Sequence, residues 1–281
     1  MSPARRTDLV LALLLVAAIL AAYAPVLHYG FVDFDDPGYV TANPNVQRGL
    51  DRDAIVWALT TTHKVNWLPA TWLSYQLDVS LFGVSAPAFH AVELLLHAAN
   101  ALLLYALVRR FGFGAAAAFA TSALFALHPL RVESVAWITE GKNTLSLGLF
   151  LAALAAYLRS EGFTTSQAGA PSAEDAADFA QATRRNLGWY LASIGLFTAA
   201  VLSKTNAAAL PGVILVLLAW KRGRLAPRDF LRVAPMLAIA AGVAAVVIHI
   251  ETNILGAGRE EFDWPWSHRV LIAGRACWFY L

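Results

Sequence analysis

Eight apolar runs recur along this chain and restrict its fold more than any other feature. They cover residues 9–27, 89–108, 115–127, 143–158, 187–203, 206–220, 231–250 and 270–281. Because lipid offers no partner to an unpaired backbone group, such runs cross a bilayer as α-helices. With 58% hydrophobic and 14% charged residues, the chain is too apolar for a soluble domain. The sequence predicts an all-α polytopic membrane helix bundle over residues 1–281, with about eight spans and the last one incomplete.

The first run follows Arg5 and Arg6 and could be mistaken for a signal peptide, since Ala22-Tyr23-Ala24 looks like a cleavage site. Its length is close to the ~20 residues of a span. Pro25 directly after the site is a poor context for cleavage. We interpret the run as an uncleaved first span with a cytoplasmic N-terminus.

Basic residues cluster at every second connection between the runs. They are Arg109 and Arg110, then Arg159 with Arg184 and Arg185, then Lys221, Arg222, Arg224 and Arg228. Cytoplasmic loops carry an excess of Lys and Arg, so these clusters mark the cytoplasmic side. Residues 28–88 then form a long first extracytoplasmic loop, and the small, polar residues 160–186 form a flexible cytoplasmic linker. In the loop, DRDAIVWAL and TWLSYQLDVSLFG have apolar residues at helical spacing and predict short interfacial helices.

Two adjacent carboxylates, Asp35 and Asp36, stand in the segment FVDFDDPGYVTANPN of that loop. Adjacent carboxylates repel each other and bury badly, which is typical of acid/base or cation chemistry. The alternative is a solvated turn made by Asp36-Pro37-Gly38.

The connection HPLRVESVAWITEGKN, residues 128–143, joins two short spans on the same side. It holds His128, Arg131, Glu133, Glu140 and Lys142. Ionisable residues at membrane depth are costly and usually functional, and a cation here could bind the phosphate of a lipid carrier. The alternative is an interfacial loop with mutual salt bridges. Lys204, between Ser203 and Thr205, could likewise meet an anionic group or extend to the membrane interface.

A polar stripe follows one face of the second span. His90, Glu93, His97 and Asn100 recur there at helical spacing and face the bundle interior. The stripe could bind a metal or relay protons in a transporter, but such stripes are more often hydrogen bonds between helices. The single cysteine, Cys277, excludes a disulfide framework, and no phosphate-binding glycine loop occurs. No cofactor is certain, and a divalent cation stays open.

Several motifs in order carry a family resemblance. They are F-x-DFDD-x-x-Y-V-x-x-N at 31–43, NW-x-P-x-TWLSYQLD at 66–78, FH-x-x-x-LLLHAAN at 89–100, ALHPLRVESVAW at 126–137, LSKT at 202–205 and the segment 256–281. Together they resemble bacterial membrane glycosyltransferase-like proteins that carry C-terminal tetratricopeptide repeats. That family is similar to the animal transmembrane and tetratricopeptide-repeat O-mannosyltransferases.

The resemblance implies a C-type glycosyltransferase in the bacterial inner membrane. Such an enzyme takes a sugar from a polyprenyl phosphate and passes it to an acceptor hydroxyl outside the cytoplasm. The resemblance implies mannose as the sugar and a protein or a glycan as the acceptor. It implies that Asp35 or Asp36 is the catalytic base. It also implies that Arg131, Lys142 and Lys204 hold the lipid phosphate, with His90, Glu93, His97, His128 and Glu133 as supporting polar residues.

Two other functions stay open. The chain could be a noncatalytic membrane anchor that presents a C-terminal tetratricopeptide-repeat domain to partners. It could also be a transporter that uses the polar stripe of the second span as an ion relay, although the long loop would then be unexplained. The run 270–281 ends without a flanking charge or turn, so we expect more spans to follow. No feature of the charge pattern points to nucleic acid.

Overall fold

The structure, a computed structural model, describes residues 2–162, 176–255 and 264–279, and these form helices and turns without a β-strand. The helices are α1 (Pro3–Tyr23), α2 (Pro44–Gln47), α3 (Arg52–Thr60), α4 (Pro69–Phe82), α5 (Ala86–Arg110), α6 (Ala115–Leu127), α7 (Val132–Ala136), α8 (Gly141–Ser160), α9 (Ala176–Ser203), α10 (Leu210–Arg222), α11 (Pro227–Ile250) and α12 (Trp266–Phe279). The predicted all-α class is confirmed.

Fewer helices can cross a membrane alone than the eight predicted. Within the described residues, five segments are long and apolar enough: Pro3–His28, Ala86–Arg110, Ile138–Ser160, Asn186–Ser203 and Pro227–Asn253. A sixth candidate consists of α6 and the segment Pro129–Ala136, bent by 56°. Helices α10 and α12 have only 13 and 14 residues. At 1.5 Å per residue they cover roughly 20 Å, less than the ~30 Å hydrocarbon core. The chain is an integral, multi-pass membrane protein.

The basic connections come together at one end of the bundle, which we call the basic end (residues 109–113, 159–161 and 221–229). Arg109 Nε lies 2.8 Å from Asp8 Oδ1 of α1. Arg222 lies 2.7 Å from Glu161 Oε2 and 2.9 Å from Asp229 Oδ1, so it joins the ends of α8 and α10 to the start of α11. The first loop and the connection 128–143 meet at the opposite end, which we call the loop end.

Helix α5 lies at the centre of the bundle because it belongs to two apolar cores. One core packs its Leu107 with residues of α8, α9, α10 and α11, including Tyr157 and Phe197. The other packs its Leu94 and Ala98 with α1 and α6. Side chains on opposite sides of α5 are therefore held rigidly by different neighbours.

The first loop folds around an aromatic core of its own. Helices α3 and α4 match the two predicted helices. Asp51 caps α3 by accepting a 2.7 Å hydrogen bond from the Ala54 amide. Trp72 of α4 is fully buried and stacks on Tyr39, with ring centroids 4.8 Å apart. The aromatic rings thus fix the loop above the bundle.

The predicted flexible linker, residues 160–186, differs in part from the structure. Residues 163–175 lie outside the described residues, whereas α9 already begins at Ala176. Its polar start, AADFAQATRR, has good helix formers and no Gly or Pro, so the helix extends from the apolar run toward the N-terminus.

Candidate functional site

Asp36 is fully buried and fastens the first loop to the connection 128–143. One carboxylate oxygen accepts a 2.7 Å hydrogen bond from the Val32 amide. The other accepts a 3.1 Å bond from the Thr139 amide and a second bond from the Thr139 hydroxyl. Three donors compensate the burial of this carboxylate. The predicted solvated turn at residues 36–38 is therefore wrong for the Asp36 side chain.

Asp35, the neighbouring aspartate, has a different environment. Its side chain is one-third exposed at 33%, and Lys64 Nζ lies 3.8 Å from its Oδ1. The aliphatic end of Lys64 covers Gly38, where any Cβ would collide with it. Asp35 is therefore partly open to solvent and lies beside the cation of Lys64.

Strained backbone carries Lys64 to this position. Lys64 and Val65 have φ of 56° and 57°, in the left-handed region. This conformation is rare for a β-branched residue and costs on the order of 1–3 kcal/mol. His63 supports it through a 3.0 Å contact of Nε2 with the Gly38 carbonyl oxygen.

Glu140 is the centre of an ionic cluster. Lys142 Nζ lies 2.7 Å from its Oε1 and Lys204 Nζ lies 3.6 Å from its Oε2. Asn143 donates a 2.7 Å hydrogen bond to Oε2 and accepts one from Lys204 Nζ. We call Glu140, Lys142, Asn143 and Lys204 the lysine clamp. It has two lysines for one carboxylate, so its net charge is positive.

Tyr39 connects Asp35 to the lysine clamp. Lys142 Nζ lies 5.2 Å from the centre of its ring. Burial raises the pKa of the Tyr39 hydroxyl to about 12, and the negative charges of Asp35 and Glu140 act in the same direction. The hydroxyl therefore stays protonated at neutral pH between the two parts of the site.

Two cavities share Lys204 in their walls. The larger, of about 690 Å³, is also lined by Arg131, Glu133, Asn143 and Asn206. The smaller, of about 130 Å³, lies against Lys142, Asn66 and Glu251. A third, apolar groove of about 350 Å³ is lined by Val32, Phe34, Val132, Glu133, Ala136 and Trp137. Because Glu133 lines both the groove and the larger cavity, polar and apolar surfaces are adjacent here.

The predicted cations are thus only partly brought together. Lys142 and Lys204 meet in the clamp, whereas Arg131 lies on the cavity wall with its guanidinium 5.1 Å above the Phe125 ring. His128 is exposed, and its Nδ1 accepts a 3.3 Å hydrogen bond from the Leu130 amide at the bend after α6. His128 therefore caps a turn.

The polar stripe of α5 is buried, but its members contact different helices. A carboxyl oxygen of Glu93 is hydrogen-bonded to the Thr144 hydroxyl of α8, and Asn100 donates a hydrogen bond of 2.8 Å to the Thr144 carbonyl oxygen. His97 lies 3.0 Å from the Ala126 carbonyl oxygen of α6. His90 packs against Tyr29, with ring centroids 6.3 Å apart. Among the described residues, no three His, Cys, Asp or Glu side chains are grouped to hold a metal ion.

Four residues of the site were not predicted from the sequence: Thr139, Asn143, Tyr39 and Lys64. One signal was available for Lys64, because the chain has only four lysines and the other basic residues are arginines. Three of those lysines, Lys64, Lys142 and Lys204, lie at the loop end. No sequence pattern points to Thr139.

Fold and site together define a multi-pass membrane protein with an ionic site at one end of its bundle. In sequence it is similar to proteins named O-mannosyl-transferases. Protein O-mannosyl-transferase TMTC1 of Mus musculus is 34% identical over 163 residues, which cover 51% of this chain and 17% of the relative. TMTC1 of Homo sapiens is 33% identical over 178 residues, 57% of this chain and 20% of the relative. Tmtc2 of Drosophila melanogaster is 31% identical over 147 residues, 49% of this chain and 15% of the relative.

The chain thus spans a fifth or less of the length of these relatives. No family model matches the chain. No solved structure matches it either.

Proposed function

We propose that this chain forms the catalytic membrane part of a C-type glycosyltransferase. The enzyme transfers a sugar, by analogy mannose, from a polyprenyl phosphate to a protein Ser or Thr hydroxyl outside the cytoplasm of a bacterial cell. The relatives named protein O-mannosyl-transferases support the reaction class. The observation that carries the proposal is the contact of Asp36 with Thr139, because it brings the aspartate loop onto the segment that carries Glu140, Lys142 and Asn143 of the lysine clamp.

Asp35 is the general base of the proposed reaction, and Asp36 is its support. Asp36 is 0% exposed, and three protein donors already occupy its oxygens. Asp35 is open to solvent and ion-pairs only loosely with Lys64. A base must reach the proton that it removes, and only Asp35 meets that condition.

In the reaction, Asp35 takes the proton of the acceptor hydroxyl while its oxygen attacks the anomeric carbon. The bond from that carbon to the phosphate oxygen breaks, and the configuration at the carbon inverts. The polyprenyl phosphate leaves with the bonding electron pair. Lys204, Lys142 and Arg131 stabilise the negative charge that develops on the departing phosphate.

The shape of the loop end supports an amphiphilic donor. The larger cavity offers Arg131 and Lys204 to a phosphate. The adjoining groove offers Val32, Phe34 and Trp137 to an isoprenoid chain, and Phe34 is 73% exposed. An exposed apolar side chain beside a cationic cavity fits a ligand with a charged head and an apolar tail.

The test is transfer from polyprenyl-phosphate mannose to a Ser/Thr-containing acceptor protein by the purified protein in liposomes, followed by mass spectrometry. Asp35→Asn should abolish transfer at an unchanged melting temperature, whereas Asp36→Asn should also lower the melting temperature. Asp33→Asn, which changes an exposed aspartate of the same loop, is the matched control and should behave as wild type.

The same transfer assay tests whether the reaction needs a divalent cation. Transfer is measured with EDTA and again with EDTA and excess Mg²⁺.

Full transfer by Asp35→Asn would contradict the role of this residue as base. Absence of transfer by the wild type with mannose, glucose and galactose donors would favour the noncatalytic membrane anchor.

A further inference from the structure

Glu93 of α5 lies directly against the first turn of α8. It is 5% exposed, and its Oε2 is hydrogen-bonded to the Thr144 hydroxyl. A Cβ built on Gly141 would lie 2.9 Å from Oε2 and closer still to Oε1. The carboxyl group therefore occupies the space of a side chain at position 141, and the close approach requires glycine there.

The hydrogen bonds of Thr144 determine where a proton lies. Its hydroxyl oxygen is 2.8 Å from the Gly141 carbonyl oxygen as well as bonded to Glu93. A hydroxyl has one proton to donate, and a carbonyl oxygen has none. Both bonds form fully only if Glu93 contributes the second proton, so the chain of donors runs from Glu93 to Thr144 to the Gly141 carbonyl.

The surroundings of Glu93 favour the same state. Within the described residues no ion pair reaches Glu93, and the groups whose charge interacts with it include Asp78 and Tyr75 of α4. Neither is a cation, and a buried carboxylate without a cation is costly. Protonation removes that cost.

We propose that Glu93 is a neutral carboxylic acid that acts as a positioning residue for the lysine clamp. Its hydrogen-bond chain fixes the start of α8. The same turn presents Lys142 and Asn143 to Glu140, each 2.7 Å from one of its oxygens. The effect on the donor rests on the proposed function, whereas the protonation of Glu93 and its contact with Gly141 do not.

A double-mutant cycle in detergent tests the contact. Gly141→Ala should lower the melting temperature by several degrees in the wild type, because the carboxyl group must leave Thr144. It should lower the melting temperature much less in Glu93→Ala, where the new methyl group enters the vacated space. Gly195→Ala, with nothing within 4 Å of the added Cβ, is the matched control and should be neutral. Equal effects of Gly141→Ala in both backgrounds would overturn the contact.

Infrared spectroscopy tests the proton. At neutral pH, in an Asp78→Asn background that removes the neighbouring acid, the carbonyl stretch of a protonated carboxyl group should be present. It should disappear on Glu93→Gln. Absence of that difference would overturn the neutral state.

Donor kinetics test the positioning role. Glu93→Ala should raise the KM for the lipid-linked sugar by about tenfold and leave the KM for the acceptor unchanged, as expected from loss of one charge-assisted contact. Glu93→Gln, which keeps a donor for Thr144, should restore the donor KM. Equal changes in both KM values, or no rescue by glutamine, would overturn the role. If the wild type transfers no sugar, the proposed function fails while the cycle and the spectrum still decide the state of Glu93.

Discussion

Two neighbouring aspartates of one loop have opposite environments, and the backbone direction alone separates them. Asp36 points inward to Thr139, whereas Asp35 points toward Lys64 and solvent. A buried, fully hydrogen-bonded carboxylate contributes to stability, while a partly exposed carboxylate is available for chemistry. Loss of either residue should therefore reduce activity for a different reason.

Lys204 lies in the wall of both polar cavities, so its removal should affect the donor. A charge-assisted contact contributes roughly 1.5–3 kcal/mol. Lys204→Ala should therefore weaken donor use by about tenfold to a hundredfold and leave acceptor dependence unchanged. Lys221→Ala is the matched control, because that lysine lies at the basic end, bonded to the Phe111 carbonyl oxygen. Unchanged donor kinetics in Lys204→Ala would make this lysine an anchor of Glu140 only.

Asp78 of α4 should make stability depend on pH. It is 6% exposed, and burial raises its pKa to about 7. The native state therefore keeps a proton that the unfolded chain, with a pKa of about 4, has lost. The contribution of Asp78 to stability should fall by at most on the order of 4 kcal/mol as pH rises from about 4 to about 7, and it should stay constant above that.

Melting temperatures of Asp78→Asn in detergent test whether the stability contributed by Asp78 falls as pH rises. The variant should approach the stability of the wild type at pH 4 and below and exceed it at pH 8, because asparagine has no charge to bury. Asp33→Asn, an exposed carboxylate, should follow the wild type at both pH values. A wild type more stable at pH 8 than at pH 4, with the variant lacking that difference, would reverse the assignment.

At the scale of elements, irregular segments compensate for short helices. The 3₁₀ turn Thr205–Ala209 precedes the 13-residue α10. With about 2.0 Å per residue in the turn and 1.5 Å in the helix, the two cover roughly 30 Å. They therefore return the chain from Lys204 at the loop end to Arg222 at the basic end, alongside α8. Pro211 at the start of α10 suits the switch from turn to helix.

The tie between the loop and the start of α8 should be measurable as coupling. Thr139→Val removes the hydroxyl that donates to Asp36 but keeps the backbone donor. It should lower the free energy of unfolding by about 1–3 kcal/mol. In an Asp36→Asn background, Thr139→Val should lower the free energy of unfolding by less, because the two residues share one interaction. Thr121→Val, which removes an exposed hydroxyl bonded to Ala117, should change stability by less than about 0.5 kcal/mol.

The sequence predicted the helices better than the site. Apolar periodicity placed every long helix and the loop helices α3 and α4, since burial in lipid or the bundle determines the former and burial in the aromatic core of the loop determines the latter. Apolar periodicity could not show that the chain bends at His128 and Pro129, because a local turn causes this break in the span. It also could not find Thr139, whose contact with Asp36 joins residues 103 positions apart. Long-range hydrogen bonds leave no local pattern in a sequence.

At the scale of the whole molecule, the two ends of the bundle have distinct chemistry. The basic end is locked by a network in which Arg222 and Arg232 both reach Glu161, at 2.7 and 2.6 Å. The loop end holds Asp35 and the lysine clamp beside open cavities. A closed network favours rigidity, while the open cavities leave room for ligands.

The loop end should lie outside the cell and the basic end in the cytoplasm. In a Cys277→Ala background, Arg52→Cys at the loop end should react with an impermeant thiol reagent added to intact cells. Arg224→Cys at the basic end should react only after permeabilisation. Both side chains are exposed, so access alone decides the result. The reverse pattern would place the site in the cytoplasm and contradict a donor used outside it.

Contacts over long sequence distances also impose an order on biosynthesis. The hydroxyl of Thr71 donates to the Ser203 carbonyl, 132 residues later, and Asp36 accepts a hydrogen bond from the Thr139 amide, 103 residues later. A ribosome delivers these partners one after another, and early spans enter the membrane before the later ones exist. Until residue 204 emerges, the aspartate loop lacks Lys204 and its final anchor on α9. The nascent protein therefore inserts its first spans well before its ionic site is complete.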